Sequence, residues 1–92
     1  MRPVYVAPAA FRDLDRLVSW LAPRSPRAAD AAADALAKAI AWLAELPGRG
    51  RPVAGSIREL PVKFGRYGYA VRYQVTKDAV RITRLRQVRE RP

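Results

Sequence analysis

The amino-acid sequence predicts an α+β domain: a short N-terminal strand and a helical hairpin packed on one face of an antiparallel sheet. Apolar residues recur at helical spacing in the first half of the chain and at a spacing of two in the second half. Prolines and glycines stand between these segments, where they end one element and allow the next to begin. A chain of 92 residues has room for one hydrophobic core, so residues 1–92 are expected to form a single domain.

The chain is predicted to begin with a strand and an amphipathic helix. Val4–Val6 is a β-prone segment that is closed by Pro8. A helical stripe follows, and it is ended by Pro23. The apolar positions of the stripe are Phe11, Leu14, Leu17, Val18 and Leu21. The charged side chains expected on the solvent side are those of Arg12, Asp13, Asp15 and Arg16.

A second helix is predicted to pair with the first. Ser25 and Pro26 are typical of a helix start, because serine caps free N–H groups and proline suits the first turn. The helix is expected to run to about Leu46, where a Pro-Gly pair stops it. Ten of the seventeen residues from Ala28 to Ala44 are alanine, which favours a helix and lets two helices approach closely.

The second half of the chain is predicted to form the rest of the sheet. Residues 67–75 alternate between large apolar and small or polar side chains, which is typical of a half-buried strand. A strand beginning near Val80 follows, and Arg58–Phe64 alternates weakly before it, with Pro61 indicating an edge position or a bulge. The helices are expected to cover Tyr69, Val71 and Tyr73, which leaves the opposite face open.

Charge is distributed unevenly along the chain. Eighteen Lys and Arg against eight Asp and Glu give a net charge of +10. Residues 1–46 carry six basic and five acidic groups, whereas residues 47–92 carry twelve and three. Fifteen basic residues are arginine, which suits bidentate pairing with phosphate or carboxylate. A GC-rich genome accounts for part of the arginine excess but not for the loss of acidic residues. The open sheet face is therefore expected to be nearly all positive and to bind an anionic partner, with a merely solvated face as the alternative.

Several classes of chemistry are excluded by composition. The chain has no cysteine and no histidine, so disulfides, thiol nucleophiles, ordinary zinc sites and histidine general acid–base catalysis are excluded. We expect no metal and no cofactor. The N-terminus lacks an apolar run of signal-peptide length, and charged residues interrupt the apolar stretch 28–46. A cytoplasmic protein without a membrane segment is expected.

Five segments, in this order, resemble the ParE/RelE superfamily of toxins. They are Ala10–Leu14, Ser25–Ala29, Leu43–Pro52, Arg58–Val62 and Tyr69–Val75. Together they extend over nearly the whole chain. The resemblance implies a RelE-like fold, an operon-encoded antitoxin, and one of two modes of toxicity. ParE-like members inhibit DNA gyrase by binding it, whereas RelE-like members cut mRNA in the ribosome with basic residues of the exposed sheet face and a residue near the C-terminus.

The positions that the RelE-like nucleases use are only partly matched. Arg58 stands at a basic position, but Leu60 falls where a second lysine is expected. Ala70 falls where a catalytic arginine is expected, and Arg72 lies on the same face two residues away. Arg89 matches a C-terminal arginine, and the sequence ends before any catalytic tyrosine. Arginines stabilise negative charge but are poor general bases, because their pKa exceeds about 12. These departures favour inhibition by binding over catalysis.

Four hypotheses follow, of which gyrase inhibition by binding is preferred. The alternatives are a ribosome-dependent mRNA endoribonuclease, a RelE-fold protein that has lost toxicity and persists as partner of a DNA-binding antitoxin, and an unrelated basic nucleic-acid-binding domain. The sequence leaves enzymatic activity open and favours its absence. The candidate target-binding residues are Arg58, Lys63, Arg72, Arg84, Arg86 and Arg89.

The expected partner is a short acidic antitoxin, ParD-like or similar, in a hetero-oligomer with this chain. It should wrap the helical hairpin and lie against the sheet, adding an edge strand or a helix. The candidate antitoxin-binding residues are Leu17, Trp20, Leu21 and Trp42. Both tryptophans are expected mainly in the core or between the helices. An exposed partner anchor is the alternative for Trp42, which lies off the main stripe of its helix.

Overall fold

Two helices pack on one face of a five-stranded mixed sheet. The computed structural model describes residues 1–89, apart from the side chains of Tyr67 and Arg89. In chain order the elements are β1 (Val4–Val6), α1 (Pro8–Leu21), α2 (Pro26–Trp42), a 3-10 turn (Pro47–Arg49), β2 (Arg51–Ala54), β3 (Ile57–Phe64), β4 (Tyr67–Val75) and β5 (Val80–Arg89). The strand order is β1-β5-β4-β3-β2, in which β1 is parallel to β5 and the other pairs are antiparallel.

The predicted α+β class and helical hairpin are confirmed, with one added strand and one departure from a fully antiparallel sheet. Strand β2 pairs with the start of β3, and the parallel β1 makes the sheet mixed rather than antiparallel. All four residues of β2 are exposed, so this strand lacks the alternation of buried and exposed side chains from which a strand is predicted. Helix α2 ends at Trp42, before the expected Leu46. Pro47 disfavours helical geometry in the residue before it, and Leu46 indeed adopts φ −124° and ψ 65°.

The helix starts follow from local chemistry. The Ser25 hydroxyl accepts a hydrogen bond from the Ala28 N–H at 3.1 Å, and Pro26 occupies the first turn of α2, as expected. Helix α1 also begins with a proline but has no side-chain cap. Small buried residues line the helices, among them Ala10, Ala29 and Ala32. α1 packs on α2 and over β5, while α2 lies over β3. No helix in the described residues is long and apolar enough to cross a bilayer.

The hydrophobic core lies between the helices and the sheet. Its largest fully buried apolar side chains are Tyr73, Leu36, Leu43, Ile82, Val71 and Val80. The predicted burial of Tyr69, Val71 and Tyr73 on one face of β4 is confirmed. Each such side chain contributes about 1.5–3 kcal/mol through removal of apolar surface from water.

A bulge in β5 decides which of its residues face the helices. Tyr73 pairs with Ile82 but Arg72 pairs with Arg84, so Thr83 is an extra residue. Without the bulge, Ile82 and Leu85 would point to opposite faces, because side chains alternate along a strand. With it, both are buried against the helices. Arg84 is thereby directed to the open face.

Candidate target-binding face and partner grooves

The sheet face opposite the helices carries a cluster of arginines. Cross-strand pairing places four charged residues in one row across β2, β3, β4 and β5, namely Arg51, Glu59, Arg72 and Arg84. Arg86 lies one step further along β5, opposite Ala70. We call this set, with Arg86, the arginine cluster. Like charges directly opposite on neighbouring strands repel, so Arg72 and Arg84 each need a counter-ion.

Glu59 is the buried centre of the arginine cluster. Its side chain is 6% exposed, and Oε2 accepts a hydrogen bond from Nη2 of Arg72 at 3.2 Å. Its Oε1 accepts one from Nη2 of Arg86 at 3.2 Å and lies 3.6 Å from Nη2 of Arg51. Burial raises the pKa of Glu59, but the charge of Arg86 and the hydrogen bonds from Arg72 and Arg86 outweigh it, so this pKa is lowered. The carboxylate stays ionised at neutral pH, and the face is less uniformly positive than expected.

A second buried carboxylate holds Arg84. Nε and Nη2 of Arg84 donate to the two oxygens of Asp13 at 2.8 and 3.0 Å, and the Leu85 N–H donates to Oδ2 at 2.9 Å. The hydrogen bond from Arg84 lowers the pKa of Asp13 against the opposing effect of burial. Asp13 was expected on the solvent side of α1, but its side chain is 1% exposed. That prediction was wrong because β1 ends opposite Ile82, which leaves the Leu85 N–H at an edge of β5 over which α1 packs.

Arg58 does not lie on the open face, and its predicted placement there was wrong. It pairs with Tyr73 and so shares the helix-side face of the sheet. Its Nη1 donates to the carbonyl oxygens of Gly50 at 2.6 Å and Gly48 at 3.2 Å. The Tyr73 hydroxyl accepts from the Gly50 N–H at 2.7 Å and donates to the Pro47 oxygen at 2.8 Å. Arg58 and Tyr73 together hold the 3-10 turn.

Of the two remaining predicted target-binding residues, Lys63 lies at the far end of the open face. Lys63 pairs with Gly68 and lines a hollow of about 380 Å³ whose floor includes Pro61, Ala70 and Val88. A neighbouring hollow of about 230 Å³ lies among Glu59, Ala70, Arg72, Arg84, Leu85 and Arg86. Arg89 is the last residue of β5, and its side chain lies outside the described residues. The face therefore combines an apolar floor of small residues with a basic rim.

Both tryptophans are exposed, so their expected place in the core was wrong. Trp20 is 52% and Trp42 56% exposed. The guanidinium of Arg24 lies over the ring of Trp20, 4.0 Å from its centroid, and Arg49 lies over Trp42 at 4.3 Å. Trp20 directly precedes Leu21, whose side chain packs against the core. Because consecutive side chains of a helix point about 100° apart, the Trp20 ring lies off the buried stripe of α1. The alternative of an exposed anchor fits both positions.

The tryptophans line two separate grooves on the helical side. The first, the α1 groove, has about 170 Å³ and brings together Leu17, Trp20 and Leu21 with Tyr69. The second, the α2 groove, has about 320 Å³ and lies between α2 and β3. Its lining residues are Ala35, Lys38, Ala39, Trp42, Arg49, Leu60, Pro61 and Val62. Three of the four predicted antitoxin-binding residues thus meet in one groove, and Trp42 belongs to the other.

The comparison with known proteins decides the family. The model of the family described as "ParE toxin of type II toxin-antitoxin system, parDE" matches residues 4–92. The chain belongs to the ParE toxin family. The resemblance seen in the sequence is confirmed, and the chain is a toxin of the ParE/RelE superfamily.

Relatives within this superfamily carry both names. Toxin RelE3 of Caulobacter vibrioides is 43% identical over 91 residues, which is 99% of each chain. Toxin RelE1 of the same organism is 40% identical over 82 residues, 89% of this chain and 88% of the relative. A chain from the solved structure "Chromosomal ParDE TA system from P. aeruginosa" superposes with a TM-score of 0.80 at 20% identity, covering 96% of this chain and 97% of that one. This structure shows that the fold is shared.

The open face of this ParE-family chain presents several guanidinium groups and the carboxylates that pair with them. Guanidinium groups supply many hydrogen-bond donors and positive charge for an oxyanion. The two buried carboxylates, Asp13 and Glu59, have lowered pKa values and are held by arginines, which makes them weak bases. Among residues 1–89, no group of acidic side chains is arranged to hold a metal ion.

Proposed function

We propose that this toxin inhibits DNA gyrase in the cytoplasm by binding it through the open sheet face, and that a cognate acidic antitoxin neutralises it. One observation carries the proposal. Glu59, the acidic side chain in the described part of this face, is ion-paired with Arg51, Arg72 and Arg86. The described part of the face therefore offers many hydrogen-bond donors but no carboxylate that is free to act as a base. RNA cleavage needs a base for the 2′-oxygen and an acid for the leaving oxygen. Binding needs neither.

The arginine cluster is suited to graded recognition. An arginine has five N–H donors, and Arg72 and Arg86 each use one nitrogen on Glu59. The remaining donors are available to carboxylates or phosphates of a target, at about 1.5–3 kcal/mol for each charge-assisted hydrogen bond. Because several residues share the contact, none of them should be indispensable.

The antitoxin is proposed to occupy the two grooves on the helical side. Both are lined by apolar side chains beside an exposed tryptophan, and cations stand at their rims, Arg16 at the α1 groove and Lys38 and Arg49 at the α2 groove. The α2 groove also adjoins β3 beyond Glu59, where the pairing with β2 ends. An acidic segment with apolar anchors would therefore bury apolar surface, meet opposite charge and extend the sheet.

An mRNA endoribonuclease is the second candidate, because two similar proteins are named RelE toxins. The hollow above Ala70 is bordered by Arg72 and Arg86, so guanidiniums flank the place where a nuclease arginine was expected. This candidate requires that Arg72 act on a scissile phosphate. Its loss should then abolish activity in one step.

The experiment that tests the proposal measures the affinity of antitoxin-free toxin for purified gyrase, with single alanine variants of Arg72, Arg84 and Arg86. We expect each change to weaken binding by a graded amount and pairs to weaken it further. Arg27→Ala is the control, since this exposed residue of α2 lies on the other side of the molecule and should bind as the unaltered chain does. Absence of gyrase binding, with ribosome binding instead, would contradict the proposal.

A further inference from the structure

Glu59 joins three strands through one carboxylate. Arg51 contacts it from β2, Arg72 from β4 and Arg86 from β5, at 3.2–3.6 Å. The three arginine side chains are 44–76% exposed, whereas Glu59 is 6% exposed. The carboxylate therefore lies beneath its partners, and both of its oxygens are engaged by these arginines. The outer surfaces of the three guanidiniums remain turned to solvent.

The contact between Glu59 and Arg86 crosses a whole strand. Both β3 and β5 are neighbours of β4, so the Arg86 side chain must pass over β4 to reach Glu59. It starts opposite Ala70, which is 4% exposed. A larger side chain at position 70 would stand in its path. Ala70 thus leaves room for the Arg86 side chain to cross β4, and Glu59 holds the guanidinium at its end.

We propose that Glu59 is a positioning residue of the target-binding face, which fixes the guanidiniums of Arg72 and Arg86 so that their free N–H groups bind an oxyanion of the target. The inference rests on the proposed function of this face. An arginine loses much rotamer freedom on binding, and a side chain already held in place loses less. The cluster of three guanidiniums and one carboxylate keeps a surplus of positive charge, which suits a carboxylate or phosphate of the target.

A purely electrostatic role for Glu59 predicts the opposite result. If the carboxylate only reduced the positive charge of the face, its removal would strengthen binding to any anion. If it positions the arginines, its removal strengthens binding to an unspecific polyanion but weakens binding to the target. A change that keeps the charge and alters the reach separates these roles most clearly. Glu59→Asp does so, because its carboxylate is one methylene shorter and falls short of at least one arginine.

The test combines growth arrest on induced expression, inhibition of gyrase, and the salt concentration that elutes the protein from heparin. We expect Glu59→Asp to elute as the unaltered chain does and to lose about tenfold or more in inhibition, the equivalent of one charge-assisted hydrogen bond. Glu59→Gln should elute at higher salt and also lose inhibition. The control Glu45→Gln removes the same charge from an exposed position, so it should elute at higher salt and inhibit fully.

Two outcomes overturn the inference: inhibition by Glu59→Asp equal to that of the unaltered chain, or stronger inhibition by Glu59→Gln. Thermal melting identifies variants that fail to fold. If the Glu59 variants do not fold, Arg86→Lys is tested in their place, because it keeps the charge of a half-exposed residue but loses the guanidinium fork. Undiminished inhibition by Arg86→Lys would also overturn the inference.

A chain that arrests growth without inhibiting gyrase refutes the proposed target, and growth arrest by the variants still tests Glu59. A chain that does not arrest growth refutes both.

Discussion

Replacing Tyr73 by phenylalanine tests how the sheet holds the 3-10 turn. Tyr73 is fully buried, and its hydroxyl accepts from the Gly50 N–H at 2.7 Å and donates to the Pro47 oxygen at 2.8 Å. The change removes both bonds and leaves a buried N–H without an acceptor. An unsatisfied buried donor costs about 1–3 kcal/mol, and loss of the second bond adds about 0.5–1.5 kcal/mol. Because the Pro47 oxygen is partly exposed and gains water, we expect a total of about 2–3 kcal/mol.

The free energy of unfolding, measured by urea denaturation of the antitoxin-free chain, checks this magnitude. For a domain of this size the same loss lowers Tm by about 10–20 °C. Tyr5→Phe is the matched control, since the same atom is removed from a side chain that is 61% exposed, and we expect no measurable loss. A loss below about 0.5 kcal/mol for Tyr73→Phe, or equal losses for both variants, would refute the account of the turn.

Three further predictions concern packing, pH and the antitoxin. Gly50→Ala should destabilise the fold strongly, because its Cβ would lie 2.5 Å from the Tyr73 hydroxyl, whereas Gly48→Ala meets nothing within 4 Å; urea denaturation compares the two. Stability should fall with acidification below about pH 4.5, because the pKa values of Asp13 and Glu59 are lowered in the folded state, and this stabilisation is lost as the two carboxylates are protonated. A series of melting curves in which Tm stays constant down to pH 2 would contradict this. Trp42→Ala should weaken antitoxin binding at least tenfold and leave gyrase inhibition intact. Titration calorimetry measures the first effect and a supercoiling assay the second. Unchanged antitoxin affinity would show that the α2 groove is not part of the interface.

The faces of β4 could be predicted from sequence because alternation is a local property of a strand. Tyr69, Val71 and Tyr73 are buried, and Arg72 is exposed on the other side. The same rule, applied to Arg58, indicates the helix side, since Arg58 has the parity of the core-packed Val62. The resemblance to nucleases placed it on the open face instead, and the geometry follows the parity.

The counter-ions of the arginine cluster could not be predicted, because they depend on contacts between distant parts of the chain. Asp13 and Arg84 are 71 positions apart, and they meet where β1 ends beside a bulged β5. Strict alternation from Val80 would have placed Arg84 on the same side as the buried Ile82. One extra residue in β5 reverses this, and single-sequence periodicity does not reveal a bulge.

The tryptophans show the limit of composition arguments. A large aromatic side chain is buried in most proteins, which favoured the core for Trp20 and Trp42. In this small domain Tyr69 and Tyr73 already fill the space beneath the helices. The two tryptophans are left outside, each with an arginine guanidinium over its ring.

A pair of assays on one preparation tests the central claim most directly. The chain, purified with its antitoxin and freed from it, is added to gyrase with relaxed plasmid and, separately, to ribosomes translating a defined mRNA. The account predicts inhibited supercoiling or stabilised cleavage of the plasmid, with the mRNA intact. Cleavage of the mRNA at defined codons, abolished by Arg72→Ala, with normal supercoiling, would contradict the account and establish the endoribonuclease.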